Sequence, residues 1–211
     1  GQARERFASW RERHALPDEI VGGQTHSVFA RWSERTGLPE QVIVRKGRLS
    51  DLTVLTFPDL GGGLDRPLDA ALFETGRPVL LAPAAGGPEP LRHVMIAWNG
   101  SLEATRAVAG ALPLLHRAER VTVLMTMELE STGRGAAMLA AVGAGLASLS
   151  EASKLAYVEE LFEPKMAAAE RDATLLVMGA YTHSRVTAAF LGGVTGQVLR
   201  DPPAFSVLMG H

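Results

Sequence analysis

The chain has 211 residues, 46% of them apolar and 21% charged, with a formal net charge of −2. That length buries the core of one large or two small domains, and the near-neutral charge offers nucleic acid or an acidic membrane no bulk attraction. Cysteine is absent, which excludes disulfides, cysteine zinc sites, iron–sulfur clusters and a thiol nucleophile.

No apolar run reaches the ~18 residues of a membrane span, and no charged and apolar leader opens the chain. The expectation is a soluble, cytoplasmic protein. Residues 50–55 (Ser-Asp-Leu-Thr-Val-Leu) and 77–81 (Arg-Pro-Val-Leu-Leu) read as strands on either side of a short helix at 70–75. Gly61-Gly62-Gly63, between Pro58 and Pro67, reads as a flexible connection, and residues 82–90 as a linker.

Residues 94–98 (Val-Met-Ile-Ala-Trp) form a short apolar run that stops at Asn99-Gly100-Ser101, the pattern of a strand buried on both faces. Ser101 suits a helix N-cap and Glu103 its first turn. Ala104, Val108, Ala111, Leu112 and Leu115 then repeat at near-helical spacing, and Pro113 should kink or end the helix. Residues 121–126 are the next strand. Two parallel strands with a short helical crossover imply a right-handed connection. Residues 127–150, rich in Gly, Ala and Ser, fit no period.

Residues 151–171 place Leu155, Val158, Leu161, Phe162 and Met166 among charges, an amphipathic helix perturbed at Pro164. A buried strand follows at 174–178, closed by Gly179. After a polar loop, Gly192-Gly193-Val194-Thr195 opens a short helix to about Arg200, and 205–209 is a last strand expected at a sheet edge. Trp98 reads as core or dimer surface. His93 and His116 have no partner at metal-ligand spacing and read as surface residues.

The first half repeats this pattern. Residues 50–55 resemble 173–178 at an offset of 123, and 77–81 resemble 205–209 at an offset of 128. Both are typical domain spacings. Projected back by that period, the strand at 94 falls before residue 1, so the first repeat begins part-way. Its edge and one apolar face then need cover. The division is 1–88, an incomplete copy, and 91–211, a full one.

In an open parallel sheet, ligands sit beyond the carboxyl ends of the strands where strand order reverses. Asn99-Gly100-Ser101 and the segment from Gly179 to Thr195 are the candidates for that crevice. Glycines let backbone approach phosphate oxygens, and a helix start presents free N–H groups. The same glycines equally turn the chain or admit a close helix, and Asn99 with Ser101 equally form a turn and cap.

The run Ile96-Ala97-Trp98-Asn99-Gly100-Ser101 and the run from Leu176 through Gly179, Thr182, His183, Ser184 and Arg185 to Gly192-Gly193-Val194-Thr195 resemble the two signature regions of the universal stress protein family. The resemblance covers 91–211 well and 1–90 loosely. It implies a Rossmann-like, adenine nucleotide alpha-hydrolase-like α/β fold: an open parallel sheet with helices on both faces, in two repeats. The whole chain is similar to tandem members, whose first domain is degenerate and whose two domains pair as an internal pseudo-dimer. The resemblance further implies pairing through the C-terminal strand, within the chain or between two chains.

ATP-binding members carry Gly-x2-Gly-x9-Gly-Ser/Thr and an aspartate at the end of the first strand. Carried over by position, Gly179 and Gly192 match the first and third glycines. Thr182 replaces the second, Gly193 replaces the hydroxyl residue, and Asn99 replaces the aspartate; Val194 and Thr195 complete the candidate set. Together the departures weaken binding tens- to hundred-fold at ~1.4 kcal/mol per decade. No esterase elbow, Walker loop or zinc-protease helix is present, and no lysine lies near the glycine loop, so catalysis is not expected. The expectation is a stress-response protein that binds ATP weakly, any metal being the magnesium that accompanies ATP, with no nucleic acid or membrane partner. The alternative is a nucleotide-independent interaction or scaffold module. A nucleotide-hydrolysing enzyme is the third reading.

Overall fold

The computed structural model describes residues 1–19, 28–58, 66–125, 164–180 and 194–211. The expectations for Gly61-Gly62-Gly63, for 127–150 and for 151–163 lie outside them. Two units divide the chain, Gly1–Leu38 and Pro39–His211. In the first, α1 (Gln2–Arg13) buries no residue. The Phe7 ring lies 6.0 Å from Trp10 and 5.5 Å from Trp32, and Arg11 pairs with Asp18 at 3.5 Å.

The second unit runs α2 (Pro39–Gly47), β1 (Thr53–Thr56), α3 (Arg66–Glu74), β2 (Val79–Ala82), β3 (Val94–Trp98), α4 (Leu102–Leu115), β4 (Val121–Met125), α5 (Pro164–Glu170), β5 (Leu175–Gly179), α6 (Val194–Arg200) and β6 (Ser206–Gly210). Its strands form one six-stranded sheet in the order β1-β2-β6-β5-β3-β4. The predicted α/β architecture is present: β1 with β2, and β6, β5, β3 and β4 with their neighbours, are parallel. The exception is β2, which pairs antiparallel with β6, Leu80 opposite Leu208. The C-terminal strand is therefore not an edge. Both its sides are hydrogen-bonded within the chain, so the edge that a second copy would need for a dimer through this strand is taken by β2.

The strands that read as uninterrupted apolar runs are buried throughout, as β3 and β6 require between two helical layers. On one face Val94, Ile96, Trp98, Leu175, Val177 and Leu208 pack under Ala104, Ala107, Ala111 and Leu115 of α4. On the other, Met95, Leu176, Met178, Val207 and Met209 meet Leu68 and Leu72 of α3, Ala167 and Ala168 of α5 and Val198 and Leu199 of α6. Trp98 is thus core. Met166 is not: it is 56% exposed, and α5 buries alanines instead. The described part of the predicted 151–171 helix is Pro164–Glu170, which buries Pro164, Ala167 and Ala168. Helix α4 runs through Pro113 and stops two residues later, at Leu115. Among the described residues no helix is long and apolar enough to cross a membrane.

His93 departs from expectation. It is 5% exposed rather than on the surface, at the amino edge of the sheet just before β3. Its Nδ1 lies 2.9 Å from an Arg120 guanidinium nitrogen, and its Nε2 lies 2.9 Å from Thr122 Oγ1. Its backbone N–H donates to Thr174 Oγ1 at 2.9 Å. The ring thus links the starts of β3 and β4, and the backbone links β3 to β5. Burial first, and the Arg120 guanidinium second, hold His93 below its ordinary 6.5; the Arg171 carbonyl, 3.0 Å from Nδ1, and Asp172 pull the other way.

The unfolded chain therefore takes up this proton first as pH falls. The stability contribution is whole above pH 6.5 and shrinks as pH drops from there to the folded value. Urea midpoints at pH 7.5 and 5.5 should differ less in His93→Gln than in the parent. An unchanged difference would remove His93 from that role.

Candidate functional site

Strand order sets the place. From β3 the chain moves outward to β4, while from β5 it moves the opposite way through α6 to β6. Adjacent parallel strands whose connections diverge open a crevice beyond their carboxyl ends. β3 and β5 are such a pair, with Ala97 opposite Met178. Asn99 and Gly179 follow directly at the same edge, so two of the predicted residues are brought together.

Asn99 is exposed, and its Oδ1 accepts from Ser101 N–H at 3.1 Å. This Asx turn requires Gly100 at φ +74°, a left-handed conformation where a side chain would be strained. Ser101 then caps α4 as predicted, its Oγ accepting from Ala104 N–H at 3.1 Å, while Thr105 Oγ1 donates to Ser101 O at 3.0 Å. One acceptor position of Asn99 and the Ala104 amide are thereby satisfied locally. The Ala104 amide is not available to an anion.

Gly179 has a packing reason. A Cβ there would lie 2.7 Å from Ala104 N and 2.9 Å from Glu103 C, so the first turn of α4 rests on the bare backbone of β5. Gly210, which the sequence reading passed over, does the same for the next turn: its Cβ would lie 2.4 Å from Ala107 N. Its signal is the shared position, since Gly179 and Gly210 are opposite each other at the ends of β5 and β6. His211 was also missed. Its Nδ1 lies 3.1 Å from Ala180 O, and its ring meets Phe73 edge-on at 4.6 Å.

Val194 opens α6 as expected, and Thr195 is buried in its first turn, 6% exposed, rather than presented to solvent. Thr182, Gly192 and Gly193 lie outside the described residues. Within the described edge, 98–103 and 178–180 carry one charge, Glu103, and no lysine or arginine. No cluster of metal-ligating side chains occurs among the described residues.

No protein-family model matches the sequence, and neither does any curated protein. Solved structures do match its fold. A universal stress protein from Archaeoglobus fulgidus superposes with a TM-score of 0.64 at 17% identity, covering 98% of this chain and 74% of that one. A protein of unknown function from Pseudomonas aeruginosa PAO1 does so with 0.58 at 17% identity, covering 98% and 76%. At this identity the likeness is one of fold.

Proposed function

We propose that the chain is a universal stress protein of the tandem type, acting in the cytoplasm in a stress response, whose second domain binds an adenine nucleotide weakly and without turnover. The observation that carries this reading is the shared carboxyl edge of β3 and β5, where Asn99 and Gly179 flank the capped start of α4. The fold likeness to a universal stress protein supports it. Asn99 would hold the nucleoside end, and the phosphates, with the magnesium they carry, would fall to the segment after Gly179.

The strand registers support the tandem reading. Thr53 faces Val79 as Leu176 faces Val207, so the offsets of 123 and 128 map β1 and β2 onto β5 and β6 without a slip. In the β2–β6 pair, Val79 faces Met209 and Leu81 faces Val207, a two-fold arrangement centred on Leu80 and Leu208. These pairings favour an internal pseudo-dimer with a degenerate first domain.

A thermal-shift titration tests the nucleotide. ATP in millimolar excess should raise Tm in a concentration-dependent way, because a ligand that binds only the folded state stabilises it. Asn99→Asp, which restores a full acceptor charge, should tighten binding about tenfold, or ~1.4 kcal/mol. No shift in either protein would favour the second reading, a nucleotide-independent interaction module. One observation already leans that way: Asn99 and Gly179 each have a local structural role.

A further inference from the structure

His93 Nδ1 stands between two partners that it cannot serve at once. An Arg120 guanidinium nitrogen lies 2.9 Å from it, and the Arg171 carbonyl oxygen lies 3.0 Å from it. A guanidinium only donates and a carbonyl only accepts, so the first contact needs a bare lone pair on Nδ1 and the second a proton. Nε2 faces no such conflict. Its neighbour Thr122 Oγ1, 2.9 Å away, both donates and accepts.

The surroundings decide which partner each protonation state keeps. If the neutral ring carried its proton on Nδ1, a cationic N–H would face another N–H at a residue that is 5% exposed. With the proton on Nε2, Thr122 accepts it, Arg120 donates to Nδ1, and a carbonyl alone faces the lone pair. That arrangement costs less, because it strands no charge. The doubly protonated ring reverses the choice. Nε2–H keeps Thr122, and Nδ1–H donates to the Arg171 carbonyl already beside it, so the ring need not turn.

Arg120 then has to leave, and it has somewhere to go, since the residue is exposed. Its backbone stays, with Arg120 O accepting from Val94 N–H at 2.8 Å. Among the described residues, Arg120 opposes a proton on the ring and Asp172 favours one. The Arg171 guanidinium is turned to Ala167 O at 3.3 Å and to Glu170 at 3.8 Å, and Thr174, from β5, is uncharged.

We propose that His93 is a proton-operated selector, joined to the Arg120 side chain before β4 when neutral and to the Arg171 carbonyl before β5 when charged. Acid therefore frees the Arg120 guanidinium at the amino edge while the strand ladder holds. The device is independent of nucleotide.

Nuclear magnetic resonance of the 15N-labelled 211-residue chain, titrated from about pH 8 to about pH 5, is the test. Long-range imidazole spectra should place the proton of neutral His93 on Nε2. Relaxation of Arg120 Nε should show a rigid side chain above the His93 midpoint and a mobile one below it, the two curves coinciding. In Arg120→Met, His93 should bind its proton about tenfold more tightly, and the neutral ring should move its proton to Nδ1, toward the Arg171 carbonyl. In His93→Gln, which accepts but does not titrate, Arg120 should be equally ordered at both ends of the range. A parent ring that is neutral with its proton on Nδ1, or a parent Arg120 whose mobility does not follow His93, overturns the proposal whether or not the variants fold. So does a folded Arg120→Met with unchanged proton affinity at His93.

Discussion

Gly210→Ala should lower stability by about 3 kcal/mol and Tm by roughly 6–12 °C. The added methyl would lie 2.4 Å from Ala107 N and 2.6 Å from Ala107 Cα, contacts with helix backbone that no rotamer change relieves. Helix α4 has to lift away from β6, which opens the layer formed by Ala104, Ala107 and Ala111 over the sheet. The same shift moves Ser101 and Asn99, so nucleotide binding should fall together with stability. Gly196 in α6 is the internal control. Its nearest neighbour to a new Cβ is the Arg200 side chain at 3.5 Å, and Gly196→Ala should stabilise by about 0.5–1 kcal/mol through helix preference. Chemical denaturation of the two variants separates close packing from a general effect of replacing glycine; equal stabilities would remove the packing account.

Leu208→Ala should cost about 3–4 kcal/mol, within the range for a leucine deleted from a packed core. Leu208 is fully buried at the centre of the antiparallel pair, opposite Leu80 and beside Val177. It joins the layer of Val94, Ile96 and Leu175 beneath α4, so its loss leaves a cavity at the junction of the two strand sets. Val54→Ala, on the exposed edge of the same sheet, should cost no more than about 0.5 kcal/mol. A loss at Leu208 as small as that at Val54 would mean that the β2–β6 junction contributes little.

The strands were legible because their environment leaves a local trace. β3 and β6, buried along their whole length, can hold only apolar or small residues. The α4 start was legible from Ser101, since a cap is chemistry within four residues. Helix α1 was not, because it buries nothing and so carries no apolar stripe, and α2 buries only Gly47. The burial of His93 was illegible for another reason: Thr122, Arg171 and Thr174 come together around it only when three strands assemble. At the candidate site, the strand ends put Asn99 and Gly179 at one edge of the sheet. The packing role of Gly179 and the existence of Gly210 as its partner depend on where α4 lies, which no local pattern encodes.

The central claim is that adenine nucleotide lodges between the carboxyl ends of β3 and β5. Photolabelling with 8-azido-ATP, followed by peptide mapping, reads that position directly. The account predicts ATP-protectable label on the peptide containing Asn99, Gly100 and Ser101. Label that excess ATP does not displace, or that maps to the amino edge around His93, would contradict it.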